Sequence, residues 1–333
     1  MMKYSWLLIV LLLTACSATK AEETAVQKQV TVGFLMDTLN EERWVKDRAY
    51  FTEEVQKQGA NIQVAVAHGN DALQIEQAEK MIRSHVDILV IVPHNAQAMA
   101  AIVHQAHKAN IQVIAYDRIV KNADIDLYIS FDNERVGQLQ AEELLKSVPQ
   151  GNVVYIGGAS TDHNSHLLKK GAMNVFAPLI RSGDIRIQYD QWTKNWQPKE
   201  AAKGMEEALR INHHQIDAVI AANDATAYAA MQVIKQQGMA KKIAVIGQDA
   251  DAVNIQAIQQ GTQLATVYKP VKKLSSVAAK TAVSMAKKQK VDITDSIDNG
   301  KNNIPSILLE PILVTKKNIQ NTVVKDGFYQ EDK

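Results

Sequence analysis

The chain has 333 residues, 46% of them hydrophobic and 22% charged, with 37 basic and 36 acidic side chains for a formal net charge of +1. That length supports two lobes with separate cores rather than one small module. The charge balance excludes the basic excess by which nucleic-acid binders neutralise phosphates, and it suits an uncharged ligand.

In chain order, Lys3 precedes an apolar run from Trp6 to Leu13, and Leu13-Thr14-Ala15-Cys16 follows. A basic start, a short apolar stretch and small residues describe a secretory leader over 1–15, too short to span a membrane. Cys16 is the sole cysteine, so no intramolecular disulfide forms. Residues 16–29 are polar and read as a tether.

From Val30 onward, short β-branched runs alternate with longer amphipathic ones. The predicted strands are Val30–Met36, Asn61–Ala67, Ile88–Val92, Gln112–Tyr116, Tyr128–Phe131, Val153–Ile156, Ile185–Tyr189, Ala218–Ala221, Ile243–Ile246 and Leu264–Tyr268. Unbroken apolar runs such as Ile88 to Val92 suit strands buried on both faces of a parallel sheet. Between them, sets such as Leu168, Ala172, Val175 and Leu179 recur at helical spacing. Such alternation specifies right-handed βαβ units and an α/β, doubly wound architecture.

The segments from Ile88 to Asp117 and from Ala218 to Asp249 echo each other: strand, polar turn, helix, then a strand ending in Asp. Two lobes of like architecture follow from this. The chain is expected to cross between them at Ser130–Asn133, near Gly261–Thr266 and near Asp292–Asn303, forming a three-strand hinge that permits closure. The N-terminal lobe is then 30–132 plus about 267–293. The C-terminal lobe and tail are 133–266 plus about 294–333.

Ligands of open α/β sheets bind beyond the carboxyl ends of the strands. The residues just past the predicted strands are Asp37, Asp117-Arg118, Asp162 to Asn164, Asn223-Asp224, Asp249 and Lys269, with Trp44, Trp192 and Trp196 in nearby loops. Carboxylates, amides and cations satisfy the hydroxyls of a pyranose, and indole planes cover its apolar faces. Helix capping explains some polar residues after strands, and Asp132-Asn133 and Asp224 are assigned to it.

Several further motifs carry no chemistry. No Walker A, H-E-x-x-H or G-x-S-x-G sequence is present. Gly157-Gly158 reads as a tight turn delivering Asp162. The pairs His104/His107 and His213-His214 lack a third metal ligand, and His163 points either to the site or to solvent. An Asp117/Asp249 glycosidase pair would need one raised carboxyl, which Arg43, Arg118 and Lys269 oppose. No cofactor is expected.

The segments Glu42-Arg43-Trp44-Val45-Lys46-Asp47-Arg48, Tyr116-Asp117-Arg118, Tyr128 to Glu134, Ala222-Asn223-Asp224-Ala225-Thr226, Gly247-Gln248-Asp249-Ala250-Asp251 and Thr266-Val267-Tyr268-Lys269-Pro270 closely resemble the D-xylose-binding protein family, over essentially the whole mature chain. The resemblance implies a type I periplasmic binding protein fold: two doubly wound parallel-sheet lobes on a three-strand hinge. It implies that Arg43, Asp117, Arg118, Asp162, Asn164, Asn223, Asp249 and Lys269 hydrogen-bond a sugar, and that Trp44 and Trp196 sandwich it. After Asp37 the chain departs from the family: Thr38 and Asn40 stand where an acidic and a basic residue are expected, at the rim of the site.

Cys16 resembles the acylated cysteine of a bacterial lipobox, which implies a membrane-anchored extracytoplasmic lipoprotein. The implied partners are a monosaccharide, with D-xylose favoured, and the membrane permease subunits of an ABC importer. The protein would act as a monomer. A sugar sensor presenting its closed form to a membrane histidine kinase or chemoreceptor is the alternative.

Overall fold

The computed structural model describes residues 29–330. Cys16, the leader and most of the tether lie outside the described residues. Two sheets organise the chain. The first contains β1 (Thr31–Met36), β2 (Asn61–Val66), β3 (Ile88–Ile91), β4 (Gln112–Tyr116), β5 (Leu127–Phe131), β11 (Asp295–Asp298) and β12 (Asn303–Leu309), in the order β11-β12-β5-β4-β3-β1-β2. The second contains β6 (Gly151–Gly157), β7 (Ile185–Trp192), β8 (Ala218–Ala221), β9 (Ala244–Gln248), β10 (Ala265–Tyr268) and β13 (Ile312–Thr315), in the order β13-β10-β9-β8-β6-β7. Every pairing is parallel except β11 with β12 and β10 with β13.

Alternating strand residues feed two cores per sheet, because successive side chains point to opposite faces. Phe34, Val90 and Ile114 pack with Phe51 of α1 (Glu42–Lys57) and with Leu274 and Ala278 of α9 (Val271–Ala286). Leu35, Leu89 and Val113 face Met81 of α2 (Asp71–Arg83) and Val103 of α3 (Ala100–Lys108). In the second lobe, Val154 and Val219 meet Met205 of α6 (Pro198–Ile211) and Ala230 of α7 (Asp224–Gln236). Tyr155 and Ile220 meet Leu144 of α4 (Asn133–Ser147) and Phe176 of α5 (His163–Ser182). The remaining helix, α8 (Ala252–Gln260), follows β9.

Helices α4 and α5 pack backbone to backbone. A Cβ added at Gly137 would lie 1.9 Å from Leu168 O, and one at Gly171 would lie 2.0 Å from Glu134 O. Only glycine permits that approach.

The C-terminal segment departs from the expectation that 294–333 joins the second lobe. Strand β12 runs parallel beside β5, and its Ile304 and Ile307 enter the two cores of the first sheet. Pro305 and the exposed, acidic β11 masked these strands in the sequence, since proline within a run demotes it as a strand. Residues 312–315 do belong to the second sheet.

The crossings therefore fall between Phe131 and Asn133, between Tyr268 and Val271, and between Leu309 and Ile312. The second and third lie later than expected. Gly261 is instead the left-handed C-cap of α8, and Ala265 to Val267 are bonded to β9 in the second sheet. The tail then returns to the hinge: Phe328 and Tyr329 pack with Tyr268, and the Lys46 Nζ donates to Phe328 O at 2.7 Å.

Candidate functional site

The carboxyl ends of both sheets face one another across a narrow cavity. From the first lobe, Arg43 and Trp44 come from the first turn of α1, and Asp117 and Arg118 follow β4. From the second, Asp162 and Asn164 open α5, Trp196 follows β7, Asn223 precedes α7, and Asp249 follows β9. Lys269 sits on the second crossing strand, directly after β10. All ten residues singled out in the sequence line this cavity. Glu41 and Gln248 line it too.

The two aspartates that end the echoing cassettes hold equivalent stations. The Asp117 N–H donates to Ile129 O of β5 at 2.7 Å, and the Asp249 N–H donates to Val267 O of β10 at 2.8 Å. Both take left-handed backbone, with φ of 60° and 95°, as does Trp196 with φ of 56°. Non-glycine residues adopt this region at a cost, and such strain concentrates at functional sites.

The polar groups form one buried network. The Arg43 Nη2 donates to Asp117 Oδ2 at 2.8 Å and its Nε to Asp47 Oδ2 at 3.1 Å; its Nη1 lies 3.8 Å from Asp249 Oδ1. Tyr116 donates its hydroxyl to Asp47. The Arg118 Nη1 donates to Asp37 Oδ2 at 2.6 Å, and its Nε lies 2.8 Å from Asp162 Oδ2 across the cleft. The Trp196 Nε1 donates to that same oxygen at 3.2 Å. The Asn164 Nδ2 donates across the cleft to Asp117 O at 3.0 Å.

Aromatic placement is equally specific. Arg43 and Arg118 stand 4.2 and 5.1 Å from the Trp44 ring centroid. A Cβ on Gly158 would lie 2.2 Å from Trp196 Cη2 and 2.5 Å from Ser165 Oγ. The glycine pair at the end of β6 therefore clears space for indoles, Gly157 for Trp192 and Gly158 for Trp196, rather than serving as a turn. Trp192 itself is partly exposed against His166, outside the cavity.

Burial works to raise the Asp117 pKa, but Arg43, Lys269 and Arg118 outweigh it and hold the carboxyl below its usual range. Burial likewise opposes the depression of Asp37, which His94 and Arg118 nevertheless achieve. The Asp162 carboxyl is raised by burial despite Arg118. Asp47 is pushed up to about 6 by burial against the pull of Arg43 and Tyr116. Held ionised, Asp117 is not poised to serve as the proton donor of a glycosidase pair.

Four buried acceptors near the cavity behave differently. Asp37 Oδ1 is met by His94 at 2.9 Å as an ion pair. Glu41 Oε2, Gln248 Oε1 and Asp249 Oδ1 accept no hydrogen bond from the described residues, although Lys269 Nζ lies 3.3 Å from Asp249 Oδ1. Buried acceptors without donors cost free energy, so a hydroxyl-rich ligand is stabilised where it supplies them.

Some residues play other parts than expected. Asp224 is not a cap. Its carboxylate accepts from Gln263 Nε2 at 2.9 Å, Thr266 Oγ1 at 2.8 Å and the Asp251 N–H at 3.1 Å, tying the β9 and β10 loops together. Asn223 is the cap of α7 and lines the cavity as well. Asp132 caps α4 as expected. His163 lines a neighbouring cavity with Lys121 and His166, and burial, then Lys121, push it down to about 4. His107 pairs with Asp126 at 2.9 Å, and no cluster of three metal-ligating side chains occurs among the described residues. Asp47, His94 and Glu41 escaped the sequence reading; only the spacing of Asp47 four residues after Arg43 on one helix gave a signal.

A two-lobed α/β protein with a polar, tryptophan-lined cleft between its lobes is a ligand receptor of the periplasmic binding type. The sequence pattern of the periplasmic binding protein domain family matches residues 32–290, and the chain belongs to that family, in the branch that holds the D-xylose-binding periplasmic proteins. It is 44% identical to the D-xylose-binding periplasmic protein of Haemophilus influenzae, over 96% of this chain and 97% of that one. It is 45% identical to its namesake from Escherichia coli, over 96% and 98%. A carbohydrate transporter solute binding protein from Chloroflexus aurantiacus, solved with D-glucose, superposes with a TM-score of 0.86 at 29% identity, covering 91% of this chain and 98% of that chain.

Proposed function

We propose that this protein is an extracytoplasmic receptor that captures a monosaccharide, D-xylose by preference, closes its lobes on it and delivers it to the permease of an ABC importer. The observation that carries this reading is the cavity itself. One indole, carboxylates and arginines from the first lobe meet one indole, carboxylates and amides from the second, with acceptors left for hydroxyl donors. The names of the relatives from Haemophilus influenzae and Escherichia coli support D-xylose as the sugar.

In this reading Arg43, Asp117, Arg118, Asp162, Asn164, Asn223, Asp249 and Lys269 bond the hydroxyls and ring oxygen, while Trp44 and Trp196 cover the ring faces. A sugar touching both lobes favours the closed state by its differential affinity for closed over open. No covalent step is needed. Calorimetry with D-xylose, D-glucose, D-ribose, L-arabinose and D-galactose tests it: D-xylose binds tightest at one site. Absence of heat with every pentose and hexose rejects the sugar assignment.

The leader and Cys16 support attachment through an acylated N-terminal cysteine, each buried methylene contributing about 0.8 kcal/mol. Cys16→Ser is then expected to move the protein from the membrane fraction to the soluble one; unchanged fractionation refutes the anchor.

A further inference from the structure

The loop from Asp37 to Glu41 is where the chain departs from the resemblance that fits the rest of the cleft, and this loop also supplies the cavity's least expected lining residue. Glu41 occupies the N-cap of α1 with extended backbone, φ −83° and ψ 142°, yet its side chain makes no capping hydrogen bond. Cap positions favour Ser, Thr, Asp and Asn, whose short side chains fold back on the helix. Glu41 instead lines the cavity, two residues before Arg43. Its Oε2 is buried and accepts no hydrogen bond from the described residues. Burial holds its carboxyl above the usual carboxylate range; Arg118 and a bond to its own backbone N–H oppose that rise, and Asp249 and Asp37 add to it.

A carboxylate oxygen held in this way, with no structural bond, has one use: to accept a hydrogen from whatever fills the cleft. We infer that Glu41 is a specificity-determining residue, whose Oε2 accepts one hydroxyl hydrogen of the bound sugar from the first-lobe wall. Asp249 Oδ1 and Gln248 Oε1 take other hydroxyls from the second lobe. The acceptor selects ligands that present a donor at that edge and disfavours analogues lacking it, because the buried oxygen is then left unsatisfied.

The inference rests on the sugar-receptor reading, and the two are separable. Wild-type heat with D-xylose bears on the reading; the comparison of variants bears on Glu41. Calorimetry is run on wild type, Glu41→Leu and Glu41→Gln with D-xylose and each monodeoxy-D-xylose, with urea midpoints confirming that all three proteins fold. Glu41→Leu is expected to bind D-xylose about tenfold or more weakly, and Glu41→Gln, which keeps a carbonyl acceptor, to fall between. One monodeoxy analogue binds wild type and Glu41→Leu equally, since it lacks the hydroxyl in question. Equal affinity of Glu41→Leu and wild type for D-xylose, or the same loss with every analogue, overturns the assignment.

Discussion

Asp117 and Asp249 end equivalent strands in the two lobes, share a left-handed backbone and a bond to the next strand, and differ in what surrounds them. Asp117 is satisfied chiefly by its own lobe, with Asn164 adding a bond from across the cleft. Arg43 grips its carboxylate, and Ser130 and Tyr128 donate to its carbonyl at 2.6 and 2.9 Å. Among the described residues, Asp249 is met by the cations Lys269 at 3.3 Å and Arg43, from the other lobe, at 3.8 Å, and its Oδ1 accepts no hydrogen bond from them. Glu41 apart, the first lobe is thus a pre-assembled platform of neutralised charges, and the second brings Gln248 and Asp249 as acceptors that need donors. Direct bonds, Arg118 to Asp162 and Asn164 to Asp117, already join the two walls, and a ligand that donates to the open acceptors adds to them in favouring closure. Pre-organised partners on one side also reduce the ordering cost of binding.

The platform breaks most severely at Arg43. Arg43→Met leaves Asp47 and Asp117 buried without their cation, and the loss in folding stability is expected at about 3–5 kcal/mol, read from urea unfolding. Asp249→Asn, on the receiving side, keeps the shape and a residue tolerant of left-handed backbone while removing the charge. It is expected to weaken sugar binding by about 1.5–3 kcal/mol in calorimetry and to change the urea midpoint far less than Arg43→Met. If the two variants lose stability equally, the division of labour is wrong.

Gly158→Ala tests the indole wall. The added methyl meets Trp196 and Ser165, and overpacking of about 1–3 kcal/mol is expected as weakened binding with an altered tryptophan emission. Unchanged affinity and emission would show that Trp196 shifts freely.

A pH-dependent effect lies behind the second-lobe wall. Asp251 is pushed up to about 8 by burial, then by Asp249, Glu42 and Glu41. The folded protein keeps a proton there that the unfolded chain loses above about 4. Its stabilising contribution is full below that pH and is lost as pH rises toward 8. Asp251→Asn is therefore expected to raise Tm increasingly over wild type between these limits; a constant difference would contradict the assignment.

What the sequence conveyed and what it hid have physical reasons. Ten strands were legible because parallel strands buried on both faces read as unbroken apolar runs, as Ile88 to Ile91 does. Strands β11, β12 and β13 were not, since exposed or half-buried edges and a proline remove that pattern, and their loss displaced the third crossing. Site residues following strand ends were found by position alone. Glu41 was hidden because it follows a loop rather than a strand. Asp224 was misread because its neighbours Gln263 and Thr266 are nearly 40 residues or more away, and only the fold brings them together.

The most direct test of the two-sided cleft is small-angle X-ray scattering with and without saturating D-xylose. A fall in the radius of gyration on adding the sugar, absent in Asp249→Asn at the same concentration, is the predicted result. A radius of gyration that D-xylose leaves unchanged, in a wild-type protein that calorimetry shows to be saturated, would contradict closure.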